Sequence, residues 1–378
     1  MDAPTTSSQN LEPYLKLCPD GKTKYLVLNR RQVDEVGRNV VARWLVSHFP
    51  DKSYWIAPQH IKNMLSNLKA YKPIFSSKPF VLPNLDLDPK NIIYGDDGIG
   101  ESAKPCLLLN DPHFYESMNL LPEAFTDIER VRVKRADQSA TPLDIYRQDI
   151  LKMMNTCLSK RREINAHNLR ETVYESTFEA TEFKPSVLAA LIHKFKPKRV
   201  LDFCAGRGSR LVACIAKEVD YTGVDPDAAL HPIYQRMIEV LTSESTNKNT
   251  YRMIQAKAQD LELPEDDMYD MIMTSPPYFD LEIYSEDPEQ SVKEFPEVGD
   301  WLEKFLLASI KKSLTHLKSG GHMIININDP GRRVPGRKAF TLAMVNALMD
   351  WPDVKYLGVI GYAEGSKPAQ PMWVWRKL

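Results

Sequence analysis

Two short stretches of this 378-residue sequence carry residues whose types and spacing suit chemistry. The first is Asp202-Phe203-Cys204-Ala205-Gly206-Arg207-Gly208, which closes an apolar run begun at Val200. Gly206 and Gly208 let the backbone approach a ligand closely and take conformations closed to larger residues. The second is Ser275-Pro276-Pro277-Tyr278, which follows the run Asp270 to Thr274. Its two prolines stiffen the chain and remove two backbone donors while leaving both carbonyls. A rigid acceptor of that kind can face an incoming amine, and the aromatic ring beside it can stack on a planar base. The bland alternatives are a ligand-free strand-to-helix turn for the first stretch and a Pro-Pro-Tyr ligand of a WW domain for the second. A motif placed directly after a buried apolar strand argues against the WW ligand.

Acids around the glycines narrow the choice of ligand. A dinucleotide loop of the form GxGxxG is not met, because Cys204 takes the first glycine position and Asp202 is acidic. Asp225, followed by Pro226, ends the next apolar strand, where a carboxylate can accept from both hydroxyls of a ribose. Asp260, followed by Leu261, precedes the strand that leads to Ser275 and suits an adenine amino group. Carboxylates and carbonyls in these places match a cationic sulfonium cofactor with an amino-acid tail. Together they resemble the S-adenosylmethionine site of class I methyltransferases. That resemblance implies cofactor contacts by Asp202, Phe203, Cys204, Ala205, Gly206, Arg207, Gly208, Asp225, Pro226, Asp260 and Leu261. Upstream, Thr181-Glu182-Phe183-Lys184-Pro185 is similar to the segment that cradles the methionine part of the cofactor in unpermuted amino methylases. It adds Thr181, Phe183, Lys184 and Pro185 to the implied contacts. Arg207 departs from the commonest pattern, which has a small residue between the glycines.

Ser275-Pro276-Pro277-Tyr278 resembles the (Asp/Asn/Ser)-Pro-Pro-(Tyr/Phe/Trp) motif of methylases that act on exocyclic amino groups. The resemblance implies catalytic roles for Ser275, Pro276, Pro277 and Tyr278, and methyl transfer to cytosine N4 or adenine N6. The amine would donate its protons to the Ser275 hydroxyl and the Pro276 carbonyl, localising its lone pair for in-line attack. Tyr278 would stack on the target base, which must be single-stranded or flipped out. Phe279 would extend that wall, with Asp280, Glu282 and Tyr284 shaping the pocket. The order of the two motifs is that of the γ group of amino methylases. No room remains between Gly208 and Ser275 for a separate recognition domain. Arg332, Arg333, Arg337 and Lys338, in a loop after a later strand of the same sheet, are read as phosphate contacts. Nucleic acid is thus the expected partner, with DNA favoured over RNA. Alternatives are an RNA base, a protein amide, or a methyltransferase-fold subunit that binds without catalysing.

Elements must position these residues. From about Lys184 onward strands and helices alternate: Ser186–Phe195 as helix, Arg199–Phe203 as strand, then a helix from about Ser209. Further on come strands at Tyr221–Val224, Met268–Thr274 and His322–Asn328, with helices at Ala228–Leu241 and Trp301–Leu317 between them. A helix near Ala339–Met349 and strands at Tyr356–Tyr362 and Pro371–Arg376 close the chain. The expected fold is α/β, a Rossmann-like class I methyltransferase sheet with helices on both faces over residues 181–378. Residues 1–140 are expected to form a mixed α+β region for substrate recognition or partner docking, and 141–180 a helical basic connector. Tyr14–Leu17 and Tyr25–Leu28 flank Pro19-Asp20-Gly21-Lys22 and predict a hairpin. Thr141-Pro142-Leu143-Asp144 predicts a helix start, with the helix continuing to about Lys160. From Arg130 to Arg170 there are ten Lys/Arg against four Asp/Glu, a candidate phosphate track. Gly95 to Gly100 predicts a surface loop, and the acidic Glu286–Asp300 a flap or partner surface.

Composition is that of a globular chain, 43% hydrophobic and 26% charged, with a net charge of -1 that gives no global basic signal. Five scattered cysteines form no CxxC pair, so neither a zinc site nor a disulfide framework is expected, and an intracellular reducing compartment fits. No apolar run approaches the length of a membrane span, and the polar N-terminus lacks a signal-peptide pattern.

Overall fold

The structure is a computed structural model, and it describes residues 11–17, 24–48, 58–76, 106–109, 118–135, 138–177, 180, 182–243, 245–284, 287–329, 340–363 and 369–378. Its chain forms two compact units. One comprises Met1–Lys62, Thr126–Thr181 and Glu282–Ser285; the other comprises Asn63–Phe125, Glu182–Leu281 and Glu286–Leu378. Neither unit is one continuous stretch.

The first unit is mostly helical. Its core gathers Leu11, Leu28, Val41, Tyr146, Met154, Leu169 and their neighbours. The two strands expected of the hairpin pair antiparallel, with Leu15 opposite Leu26 and Leu17 opposite Lys24, while the turn sequence between them lies outside the described residues. Two helices follow the second strand, Arg30–Val36 and Arg38–His48. Gly37 separates them at φ +94°, a conformation that favours glycine. Asn29 and Gln32 form a capping box at the first start, and Thr141 and Asp144 form one at Pro142. The latter helix stops at Gln148, and a second runs Ile150–Ser159, so the continuous helix expected to Lys160 is broken at Asp149. A short antiparallel ladder pairs Glu282 with Arg135 and Ile283 with Lys134.

The second unit is built on a nine-stranded sheet. Its strands are β1 (Ile74–Ser76), β2 (Cys106–Leu109), β3 (Arg199–Asp202), β4 (Asp220–Val224) and β5 (Tyr251–Ile254). They continue as β6 (Tyr269–Thr274), β7 (Leu317–Asn326), β8 (Val354–Ala363) and β9 (Gln370–Lys377). The spatial order is β1-β2-β8-β9-β7-β6-β3-β4-β5. Strands β5, β4, β3, β6 and β7 are mutually parallel, and β9 runs antiparallel between β7 and β8. Seven strands in that order with that reversed strand make the Rossmann-like class I methyltransferase sheet; β2 and β1 extend it past β8. Strands β1, β2 and β5 escape a reading of the sequence, because each is short and none shows a clean period.

Both faces of the sheet are covered. Ile272, Met323, Ile325, Trp373 and Trp375 enter one cluster with Trp301, Phe305, Ile310, Met344 and Leu348 from two helical segments. The intervening Met271, Met273, Ile324 and Val374 are equally buried. They lie on the opposite face, as the two-residue period of a strand requires. Helices Pro185–Phe195 and Ser209–Lys217 pack on each other outside that cluster. The expected helix Trp301–Leu317 begins as a π-helical stretch, Trp301–Leu307, before continuing as α-helix to Thr315. Among the described residues no helix is long and apolar enough to cross a membrane.

Candidate active site

Four neighbouring parallel strands deliver the chemistry-bearing residues to one edge. Strand β4 ends in Asp225, β3 in the Phe203–Gly208 loop, β6 in Ser275–Tyr278 and β7 in Asn326. The register sets Leu201 beside Ile272 and Thr274 beside Ile325, so these loops leave the sheet side by side. Ligands of open α/β sheets bind at such carboxyl ends.

The glycine loop is fixed from several sides. Gly206 and Gly208 take φ +55° and +79°. A Cβ on Gly208 would lie 2.8 Å from the Met237 Sδ, whereas one on Gly206 would meet nothing within 4 Å. The loop therefore packs on helix His231–Thr242 at Gly208 and faces open space at Gly206. The Ala205 N–H donates to the Val224 carbonyl at 2.9 Å, and the Tyr234 hydroxyl donates to the Gly206 carbonyl. Burial pushes the Cys204 thiol well up, so it is held protonated and is no nucleophile.

Asp225 accepts from the Gly206 N–H at 2.9 Å and the Asp227 N–H at 3.0 Å. Burial pushes its carboxyl up to about 7; the two backbone donors oppose that shift, and the nearby acids Asp227 and Asp202 add to it. Asp202 is different. It is completely buried and accepts from the Arg210 Nε at 2.6 Å, the Tyr221 hydroxyl at 2.7 Å and the Cys204 N–H at 3.3 Å. The Arg210 guanidinium also donates to the Cys204 carbonyl and lies over the Phe183 ring, 4.9 Å from its centroid. Asp202 thus holds an internal cation, and no face of it is open. Nothing in the spacing of Arg210 and Tyr221 announces them as partners of Asp202.

Upstream, Arg207 donates to Glu182 Oε1 at 3.1 Å in a nearly buried pair. Glu182 Oε2 is buried with no hydrogen-bond partner. Phe183 and Lys184 are half-buried, and Pro185 opens the following helix. Thr181 lies outside the described residues, as do Arg332, Arg333, Arg337, Lys338 and the Gly95–Gly100 loop. Asp260 sits exposed in a 3₁₀ turn, Ala258–Asp260, with Leu261 buried behind it.

At the end of β6, Pro276 is buried and Ser275, Pro277 and Tyr278 are half-buried. The Ser275 hydroxyl donates to Asn326 Oδ1 at 3.3 Å. Phe279 corrects an expectation: its ring turns inward, meeting Trp301 edge-on with centroids 5.6 Å apart. A backbone φ of +52° produces this turn, and no pattern of residue types announces it. Phe279 is an anchor of the loop and not part of an open wall. Asp280 is half-buried, Tyr284 is exposed, and the backbone of Glu282 belongs to the ladder of the other unit. The acidic stretch after it is tied down as well, through Lys257 to Glu294 at 3.2 Å and to Glu289 at 3.4 Å. Of the ten cations between Arg130 and Arg170, those two end residues are buried. Arg170 pairs with Asp127 at 2.7 Å, and the Arg130 Nε donates to the Ala180 carbonyl at 3.3 Å, so neither serves a surface track. No cluster of metal-binding side chains occurs among the described residues.

Residues 177–354 match the family model for a methyltransferase domain. No curated protein matches the chain significantly. Among solved structures, an S-adenosylmethionine-dependent methyltransferase from Clostridium acetobutylicum is 12% identical, covering 56% of this chain and 99% of its own, with a TM-score of 0.36. An rRNA methylase from Streptococcus thermophilus is 12% identical, covering 53% of this chain and 99% of its own, with a TM-score of 0.34. Similarity this low says nothing of substrate. The matched segment and the strand order show a class I methyltransferase fold, and S-adenosylmethionine is the methyl donor that this fold implies. The residues at the sheet edge fit that donor. Asp225 is a buried carboxylate whose hydrogen bonds come from backbone alone, Gly206 faces open space, and Glu182 Oε2 is an acceptor without a donor.

Proposed function

We propose that this chain methylates an exocyclic amino group of a nucleobase, cytosine N4 or adenine N6, with DNA favoured over RNA. One observation carries the reading: Ser275-Pro276-Pro277-Tyr278 leaves β6 beside β3, whose end is the glycine loop, with Asp225 at the end of the next strand over. S-adenosylmethionine, when bound, supplies a methyl group on a cationic sulfur. The roles of the chain's own residues follow from their chemistry. Asp225 accepts the ribose hydroxyls, the 203–208 loop lets the backbone lie against the donor, and Glu182 accepts from the ammonium of its tail. At the other side, the Ser275 hydroxyl oxygen and the Pro276 carbonyl accept the two N–H groups of the target amine. An amine conjugated to a base ring is a weak nucleophile, and these bonds gather its lone pair on nitrogen. The proton released as the new C–N bond forms passes to water, so no strongly basic side chain is needed. Tyr278 offers its face to the base. Most of the acceleration comes from positioning.

The test incubates the protein with methyl-labelled donor and, separately, double-stranded DNA, single-stranded DNA and RNA of mixed sequence. Each product is digested to nucleosides. The expected result is label in N4-methylcytosine or N6-methyladenine of DNA, abolished by a Ser275→Ala, Tyr278→Ala double substitution. Label confined to RNA would move the assignment to an RNA base. No label in any nucleic acid, with donor binding intact by calorimetry, would overturn the nucleobase reading.

A further inference from the structure

We infer that Asn326 is a positioning residue that commits the Ser275 hydroxyl to the role of acceptor; this rests on the amino-methylating function proposed above. A hydroxyl has one proton and two lone pairs, and its rotation decides which of them meets a substrate. An amine about to be methylated needs an acceptor for its N–H. A hydroxyl that instead donated to the amine nitrogen would occupy the lone pair that has to react. Ser275 therefore has a wrong orientation available to it, one that a carboxylate in the same place would lack.

The end of β7 removes that orientation. Asn326 follows Ile325, which pairs with Thr274, so Asn326 and Ser275 extend two adjacent strands together. The Asn326 amide is itself oriented: its Nδ2–H donates to the Pro371 carbonyl at 2.9 Å, and that bond requires nitrogen on the β9 side. Oδ1 then points at Ser275, 3.3 Å from the hydroxyl oxygen. An amide oxygen can only accept, so the Ser275 proton goes to Asn326 and the Ser275 lone pairs are left for the substrate. Three strands thus contribute to one orientation: β9 fixes the amide, β7 carries it and β6 receives it. In the sequence the only sign was a polar residue closing the apolar run Met323-Ile324-Ile325.

The test uses the full chain and a panel of amine acceptors: nucleic acids, nucleosides and a glutamine-bearing peptide. Asn326→Leu keeps the volume and removes the acceptor. It is expected to lower kcat about tenfold, the scale of one misdirected hydrogen bond, with donor affinity unchanged. Asn326→Asp keeps an acceptor toward Ser275 and loses the donation to Pro371, so it should retain more activity than Asn326→Leu. On a Ser275→Asp background, where no hydroxyl proton needs directing, Asn326→Leu should cost little beyond the first change. Equal losses in both backgrounds, or an Asn326→Asp as impaired as Asn326→Leu, would overturn the inference in favour of a structural role at Pro371. Wild-type activity surviving Asn326→Leu would overturn it alone. A wild-type protein that methylates no amine would overturn the functional reading and this inference with it.

Discussion

The ends of β3 and β4 lie next to each other, and each carries an aspartate that resembles a cofactor ligand in the sequence. Their surroundings make them opposites. Asp202 is closed by Arg210 and Tyr221 and serves as the counter-ion of a buried cation. Asp225 has backbone donors only, and for want of a counter-charge burial raises its carboxyl toward neutrality. The lesson is that an acid at a strand end is a ligand only when the fold leaves it without an internal partner. A sequence shows the acid but not the partner.

The sharpest way to break this contrast is to remove each acid in turn. Asp202→Ala would leave the buried Arg210 uncompensated and should cost about 3–5 kcal/mol of stability, read from the urea midpoint. Pairing it with Arg210→Met should recover much of that loss. A single Asp202→Ala that unfolds at the wild-type midpoint would sink the counter-ion role. Asp225→Ala should barely change the midpoint. Its effect should fall on donor binding, weakened by about 2–3 kcal/mol, or roughly 30- to 150-fold in Kd by calorimetry.

A pH titration separates the two acids without mutation. In the proposed role Asp225 would accept the ribose hydroxyls in its ionised form, so donor affinity should fall as pH drops below about 7, approaching tenfold per unit. The unliganded protein should respond in the other direction. The folded pKa of about 7 lies above the ordinary aspartate value of 3.8, so the folded state holds this proton more tightly. That contribution to stability is fully present below about 3.8 and is lost as pH rises through about 7. Donor affinity flat from pH 5.5 to 8 would remove Asp225 from the binding site. The smallest effect belongs to the loop between the acids. Gly206→Ala meets no neighbour and should cost only about 1 kcal/mol for its left-handed backbone, yet still weaken donor binding by filling the space that the loop faces. Equal donor affinity in wild type and variant would place the donor elsewhere.

The fold was largely legible, for reasons that are local. Apolar runs ending at Asp202, Asp225 and Thr274 mark buried parallel strands, and capping residues such as Thr141 mark helix starts. What escaped depends on distant partners or on single dihedral angles. Strands β1 and β2 are short pieces of a proline-rich stretch; β2 pairs with β8, and β1 pairs in turn with β2. The helix break at Gly37 rests on one φ value, as does the inward turn of Phe279. In the site, residue types that announce chemistry were visible: the glycines, the acids and Ser275-Pro276-Pro277-Tyr278. Residues that direct or neutralise them, Asn326, Arg210 and Tyr221, come from other strands and helices and carry no mark of their own.

The ladder between Lys134–Arg135 and Glu282–Ile283 sets an order on synthesis. Its first strand emerges early, but the partner strand lies beyond β3, β4, β5, β6 and the catalytic loop. At about 5–20 residues per second, several seconds of translation separate the two. During that interval the helical unit has an open strand edge, a template for mispairing. The edge closes only after most of the parallel sheet has left the ribosome. A fragment ending before Glu282 would therefore keep that edge exposed permanently, however well its own helices packed.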